Sequence, residues 1–391
     1  MAGNEFSPWP SFTTEEADAV AEVLRSNRVN YWTGSRCREF EQAFATVTGT
    51  RHAVAVSNGT VALELALKAL GVGPDDEVIV TCRSFVASAS CVVNVGAKPV
   101  FVDVDRDSQN ITPETISSAI TDRTRAVICV HLAGWPCEME EILNLARRHN
   151  LSVVEDCAQA HGAYYDGKSV GSFGDVACWS FCQDKIISTA GEGGMITTDS
   201  DELWSKVWTL KDHGKSHEAV SRADHPVGYR FVHHEFGTNA RMTEISATIG
   251  GLQLNKLPEW REHRAQNAEA ILDISSKQSC LRVPRPPAHI SHAFYRATIF
   301  VVADRLKHDW SRDRMLSQIT ELGVPCFTGP CPELYLERCF KGSGIGPQER
   351  LCTAKELGET SLTFLVHPTL TQRDIGRTRD AIEQVCRLAG Q

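Results

Sequence analysis

Between residues 52 and about 200, short apolar runs alternate with segments whose apolar residues recur at helical spacing. Residues 52–57 read as a strand that Asn58-Gly59 ends, and 60–70 carry their apolar positions on one helical face. Residues 77–81 predict a second strand and 85–95 a second helix. Further strands are expected at 98–104, 125–131 and 151–156, with helical segments near 113–120 and 138–149 between them. These strands are apolar throughout rather than alternating, as burial on both faces requires. Strand, helix, strand repeated in this way predicts an α/β fold with a mainly parallel central sheet. After Asp156 the rhythm changes: 176–181 and 195–198 read as strands around a polar, glycine-rich stretch. Residues 241–257 predict a long helix, followed by another over about 259–274. The run Val283-Pro284-Arg285-Pro286-Pro287 then breaks the chain and opens a smaller C-terminal α/β unit. The expected division is a large domain over 1–250 and a smaller one over 251–391. No internal repeat is visible.

Composition narrows the classes. With 391 residues, 42% of them hydrophobic, there is ample material for a sizeable core. Lys and Arg number 40 against 49 Asp and Glu, and the net charge of -9 argues against a nucleic-acid or polyanion binder. One small basic pocket is still compatible with it. Fourteen cysteines are scattered singly with no CxxC pair, which reads as reduced, mostly buried thiols in a cytoplasmic protein. Met1 to Glu5 show neither the basic nor the apolar region of a signal peptide, and no run of about 18 apolar residues predicts a membrane span.

Three segments carry candidate chemistry. Ser57-Asn58-Gly59-Thr60 joins a strand to a helix, so backbone N–H groups and hydroxyls gather at the positive end of a helix dipole, a corner suited to phosphate. It is equally an ordinary capped turn. No GxGxxG or GxxxxGK[ST] accompanies it, which disfavours a Rossmann oxidoreductase or a P-loop enzyme. Glu155-Asp156-Cys157-Ala158-Gln159-Ala160-His161-Gly162 puts a carboxylate at the end of an apolar strand. A buried carboxylate needs a donor or cationic partner, and either a protonated pyridine nitrogen or a locally capped turn would serve. Ser180 to Lys185, followed by Gly191-Glu192-Gly193-Gly194, sets one amine beside a glycine-rich turn at a strand end. Such a lysine can be desolvated and lose its charge, as imine formation requires; lone lysines are otherwise solvated surface charges.

In these segments, together with Tyr31-Trp32-Thr33-Gly34, Ser84-Phe85-Val86-Ala87-Ser88 and Gly237-Thr238-Asn239-Ala240-Arg241-Met242-Thr243-Glu244, the chain resembles the DegT-type (DegT/DnrJ/StrS) sugar aminotransferases, fold type I enzymes of pyridoxal 5'-phosphate. The resemblance runs from about residue 8 to the C-terminus. It implies that Lys185 holds the cofactor as a Schiff base and moves the substrate's Cα proton. Asp156 would keep the ring nitrogen protonated, Gln159 would meet the 3-hydroxyl or the ring, and Phe85 would stack on the ring. Gly59, Thr60 and Ser180 would hold the phosphate, joined by Asn239 from the neighbouring subunit of a homodimer with shared sites. Thr33, Glu192 and His213 are candidate substrate-side residues, each also explicable as a local polar group. No metal is implied.

The implied reaction moves an amino group from L-glutamate to a keto-sugar, a 3- or 4-keto-6-deoxy sugar on a nucleotide, for lipopolysaccharide O-antigen or antibiotic sugars. A non-nucleotide ketosugar or aminocyclitol precursor, and a non-catalytic PLP-binding regulator, are the alternatives. Relatives that replace the Schiff-base lysine with histidine are dehydratases; Lys185 favours transamination. Cys326-Phe327-Thr328-Gly329-Pro330-Cys331-Pro332 departs from the family's usual pattern and leaves the contribution of that region open.

Overall fold

The computed structural model describes residues 6–222, 224 and 227–391; the N-terminal stretch read above for a leader lies outside them. Seven strands build the main sheet: β1 (His52–Val56), β2 (Glu77–Thr81), β3 (Lys98–Val102), β4 (Thr124–Val130), β5 (Ser152–Asp156), β6 (Val176–Ser180) and β7 (Gly194–Thr198). Their order is β1-β7-β6-β5-β4-β2-β3. The pairs from β3 across to β6 are parallel, and β7 runs antiparallel to both of its neighbours. Every residue of β2, β6 and β7 is buried, which is why these runs lack alternation. The predicted mainly parallel sheet is present, in the fold type I arrangement.

Four more strands, β8 (Leu281–Arg282), β9 (Ala297–Val301), β10 (Cys326–Phe327) and β11 (Ser361–Phe364), form an antiparallel sheet in the order β8-β9-β11-β10. Helices Arg312–Glu321 and Gln372–Ala389 contribute buried residues to its core. No described helix is long and apolar enough to cross a membrane.

Two helix boundaries differ from expectation. The pair predicted at 241–257 and 259–274 is one helix, Glu244–Ser276, with Pro258 inside it. Proline removes one backbone hydrogen bond and costs about 3 kcal/mol in a helix interior. Here the helix is anchored in two cores: Leu254 and Leu257 pack with Phe40 and Phe181, while Ala268, Ile271 and Leu272 pack with the small sheet. Burial of about 2 kcal/mol per large apolar side chain outweighs the lost bond. The helix expected from residue 85 starts at Ala87 instead, which leaves Phe85 in the preceding loop.

Candidate active site

The C-terminal ends of β2, β4, β5 and β6 open on a cleft of about 1310 Å³, which the small sheet closes on the far side through Thr298, Phe327 and Thr363. Open α/β sheets bind ligands at this edge.

Asp156, the last residue of β5, is buried in the cleft wall. One of its carboxylate oxygens accepts from the Ser88 hydroxyl at 2.8 Å and the other from the Ala158 amide at 3.2 Å. Among the described residues no Lys or Arg lies at ion-pair distance. Burial therefore lifts its carboxyl above the ordinary range, against the pull of Ser88 and Ala158. The local turn and the cleft-facing acid read as alternatives in the sequence coexist here. A cationic N–H in the cleft is what this carboxylate lacks, and a protonated pyridine nitrogen fits that need.

Glu155, one residue earlier, faces the other side of the strand. Its two oxygens accept the amides of Gly171, Phe173 and Gly174, each at 2.8 Å, and bond His131 Nε2 at 3.0 Å. The Cys137 amide donates to His131 Nδ1 at 3.0 Å, so the ring proton sits on Nε2 and points at Glu155. Burial would raise this carboxyl, but His131 and the amides hold it below its usual range. His131, Glu155 and Cys157 bring three possible metal-ligand atoms within 4.8 Å of one another. The Glu155 oxygens and His131 Nδ1 are already engaged by protein donors, so the cluster works as scaffold.

Helix Gly59–Ala69 points its N-terminus into the cleft. Asn58 caps it by accepting the Val61 amide at 2.9 Å, which leaves the Gly59 and Thr60 amides without helix acceptors beside Ser180. A Cβ on Gly59 would stand 2.7 Å from the Ser180 Cβ, so the corner closes only around glycine. Gly59→Ala is therefore expected to weaken cofactor affinity by about tenfold or more, measured by titrating cofactor into the stripped protein. Affinity equal to wild type would rule this corner out as the expected phosphate site.

Lys185 sits in the turn after β6 with its side chain 15% exposed, and its Nζ lies 3.5 Å from Asp184 Oδ1 and 5.2 Å from the Tyr295 ring centre. The sequence reading expected a neutralised amine. Burial does pull it down, but Tyr295, Asp184, Cys182 and Asp156 together outweigh burial and hold the ammonium above its usual range. In the protein alone the amine is a held cation, which must shed its proton before it can act as a nucleophile.

Phe85 lines the cleft and is 64% exposed, a large aromatic face with nothing yet against it. Gln159 also lines the cleft and accepts the Ala133 amide at 2.8 Å through its side-chain oxygen, so its NH2 remains available as a donor. Glu192 is at the cleft as well, near Cys182 Sγ. Three expected residues lie outside this chain's own cleft. Thr33 bonds the Asn30 carbonyl, while His213 and Asn239 sit in an exposed strip where the Asp212 and Asn239 backbones bridge.

Ser88, Tyr295 and Arg296 are the residues sequence reasoning missed. Ser88 stood within a quoted motif without a role. Tyr295, whose hydroxyl bonds Asp184, and Arg296 come from a segment more than a hundred residues away, with no local signal.

A family model described as the DegT/DnrJ/EryC1/StrS aminotransferase family matches residues 10–383. The chain is 37% identical to a GDP-perosamine synthase of Caulobacter vibrioides over 382 residues, 96% of each chain. It is 35% identical over 357 residues to the UDP-N-acetyl-3-dehydro-alpha-D-glucosamine 3-aminotransferase of Acidithiobacillus ferrooxidans, covering 90% of this chain and 89% of that one. The X-ray structure of an aminotransferase from Psychrobacter cryohalolentis superposes with a TM-score of 0.96 at 55% identity, over 97% of this chain and 98% of the other.

Proposed function

This chain belongs to the DegT/DnrJ/EryC1/StrS aminotransferase family, and we propose that it moves an amino group from L-glutamate to a nucleotide-linked 3- or 4-keto-6-deoxy sugar. It is a sugar aminotransferase that uses pyridoxal 5'-phosphate. The observation that carries the reading is the meeting, in one cleft, of an amine (Lys185), a buried acid lacking a cation (Asp156), a helix N-terminus (Gly59, Thr60) and an exposed ring (Phe85).

When bound, the cofactor supplies an aldehyde carbon for amines and a conjugated ring that accepts the electron pair released at the donor's Cα. The Gly59 and Thr60 amides and the Ser180 hydroxyl, which line the cleft together, would hold its phosphate. Asp156, fixed by Ser88 and Ala158, would keep the ring nitrogen protonated. Phe85 would cover one face of the ring, and the Gln159 NH2 would meet the ring or its 3-hydroxyl. The Lys185 Nζ would hold the cofactor's aldehyde carbon and, when free of it, would take the donor's Cα proton and return one to the acceptor.

Arg296 and Arg338 support a nucleotide-linked acceptor. Both line the outer cleft, and neither has a carboxylate partner among the described residues, so a diphosphate finds two guanidinium groups there. Asn239 lies in an exposed strip with Tyr229, Phe231 and Phe236, which supports a homodimer in which Asn239 of the partner subunit reaches the phosphate. A cytoplasmic setting belongs to the same reading, supported by cysteines that stand as free thiols.

The test offers amino-loaded enzyme a panel of keto-sugars, each with and without its nucleotide, and follows the cofactor's absorbance. Turnover of the nucleotide-linked compounds is expected. Arg296→Leu should raise their KM about tenfold with little change for glutamate. Equal use of free and nucleotide-linked sugars would favour the non-nucleotide alternative.

A further inference from the structure

The segment that departs from the family pattern, residues 326–332, forms the outer wall of the cleft. β10 leads into a turn through Thr328, Gly329 and Pro330, and Cys331 then forms an antiparallel bridge with Ser84, the neighbour of Phe85. Beneath this turn lies Arg83, with 0% exposure. Its Nε donates to Gln109 Oε1 at 2.9 Å and its Nη2 to Ser361 Oγ at 3.2 Å; the Ser361 hydroxyl in turn donates to the Thr328 carbonyl at 2.6 Å. Gly329 has φ +89, and a Cβ there would stand 3.4 Å from Arg83 Nη2 and 3.3 Å from Thr363 Oγ1. The Leu334 amide donates to the Cys82 carbonyl at 2.7 Å. Residues 82–84 at the end of β2 are thus stitched to 328–334 of the small sheet.

Arg83 is a costly choice for this joint. Among the described residues no carboxylate pairs with it, and its Nη1 is buried without a hydrogen-bond partner. A guanidinium held only by neutral groups destabilises a fold relative to an apolar side chain of similar size. What it does provide is direction: its planar fork reaches Gln109 and Ser361 at once and sets the height of the turn above Phe85.

We propose that Arg83 is a positioning residue for the acceptor half of the reaction, locking the 328–331 turn in register with Ser84 and Phe85 so that the outer cleft fits the long acceptor. The inference rests on the sugar-nucleotide reading above. Glutamate is far shorter than a sugar nucleotide, so its half-reaction is expected to depend much less on the outer wall that the latch sets.

The test compares Arg83→Met and Ser361→Ala with wild type, all as cofactor-loaded enzyme. KM is measured for each substrate, together with the rate of tryptic cleavage after Arg338 and Lys341. Arg83→Met should raise the acceptor KM about tenfold and leave the glutamate KM within about twofold. Ser361→Ala removes one strand of the latch and should shift the acceptor KM about threefold in the same direction, with faster cleavage. If Arg83→Met does not fold, Ser361→Ala carries the test. An unchanged acceptor KM in Ser361→Ala, or a rise shared equally by glutamate, overturns the proposal. If wild type itself turns over no keto-sugar, the functional reading has failed. The latch is then judged by trypsin alone: cleavage of Ser361→Ala at the wild-type rate overturns it and faster cleavage supports it.

Discussion

Lys185→Ala is expected to lower transamination by more than about a thousandfold while the chain still folds. The side chain is one of the few elements of the cleft that chemistry alone explains. Its neighbours Ile186 and Ile187 are fully buried and hold the turn, whereas the Lys185 amine meets Asp184 and the Tyr295 ring. In the proposed role, removing it takes away the group that would hold the aldehyde and move the proton, while Ile186 and Ile187 keep the turn. Phosphate and ring contacts remain, so the variant should still bind cofactor, though non-covalently. Initial rates measure the first effect. Borohydride reduction followed by peptide mapping measures the second, with Lys185 labelled in wild type and no lysine labelled in the variant. A variant that retains a tenth of wild-type activity, or a label on another lysine, would sink the assignment on which the whole mechanism rests.

Asp156→Asn should cost about a hundredfold or more in kcat. The amide oxygen can keep the bond from the Ala158 amide while its NH2 donates to the Ser88 hydroxyl oxygen, so packing is preserved, but it cannot hold a proton on the ring nitrogen. The electron sink is lost while the pocket's shape stays. A second signature follows from protonation. Burial holds this carboxyl above the ordinary Asp range in the protein alone, so the folded chain binds its proton more tightly than the unfolded chain. Stability contributed by that proton is present at low pH and is lost as pH rises through the raised value. A pyridinium N–H relieves that loss. The gap in Tm between cofactor-loaded and stripped wild type should therefore widen on going from acid to neutral pH, and Asp156→Asn should lack the widening. An Asn variant with near-normal kcat would show that another group protonates the ring.

Much of the sheet could be read directly, because β2, β4, β5 and β6 each hold consecutive buried apolar residues in place of an alternation, as two-sided burial requires. Lys185 and Asp156 were legible for the same reason: each follows or ends such a run, where a polar residue is conspicuous. Pro258 misled, since a local rule about proline competes with two separate cores that no window of sequence displays. The charge on Lys185 was not legible because Tyr295, which stands just before β9, reaches it from more than a hundred residues away. Glu155 and Asp156 are neighbours in sequence, and only the strand's pleat decides that one faces the scaffold and the other the cleft. Thr33, His213 and Asn239 lie away from the cleft of their own chain, so any role they have in a site is one that a single chain cannot display.

The unbroken helix Glu244–Ser276 acts as a strut about 50 Å long. Bolted into both cores, it denies the small sheet a free swing over the substrate, and leaves adjustment of the opening to the peripheral turns. Its single missing rung, the Leu254 carbonyl that Pro258 cannot serve, marks the one place along that beam where flexure meets less backbone resistance.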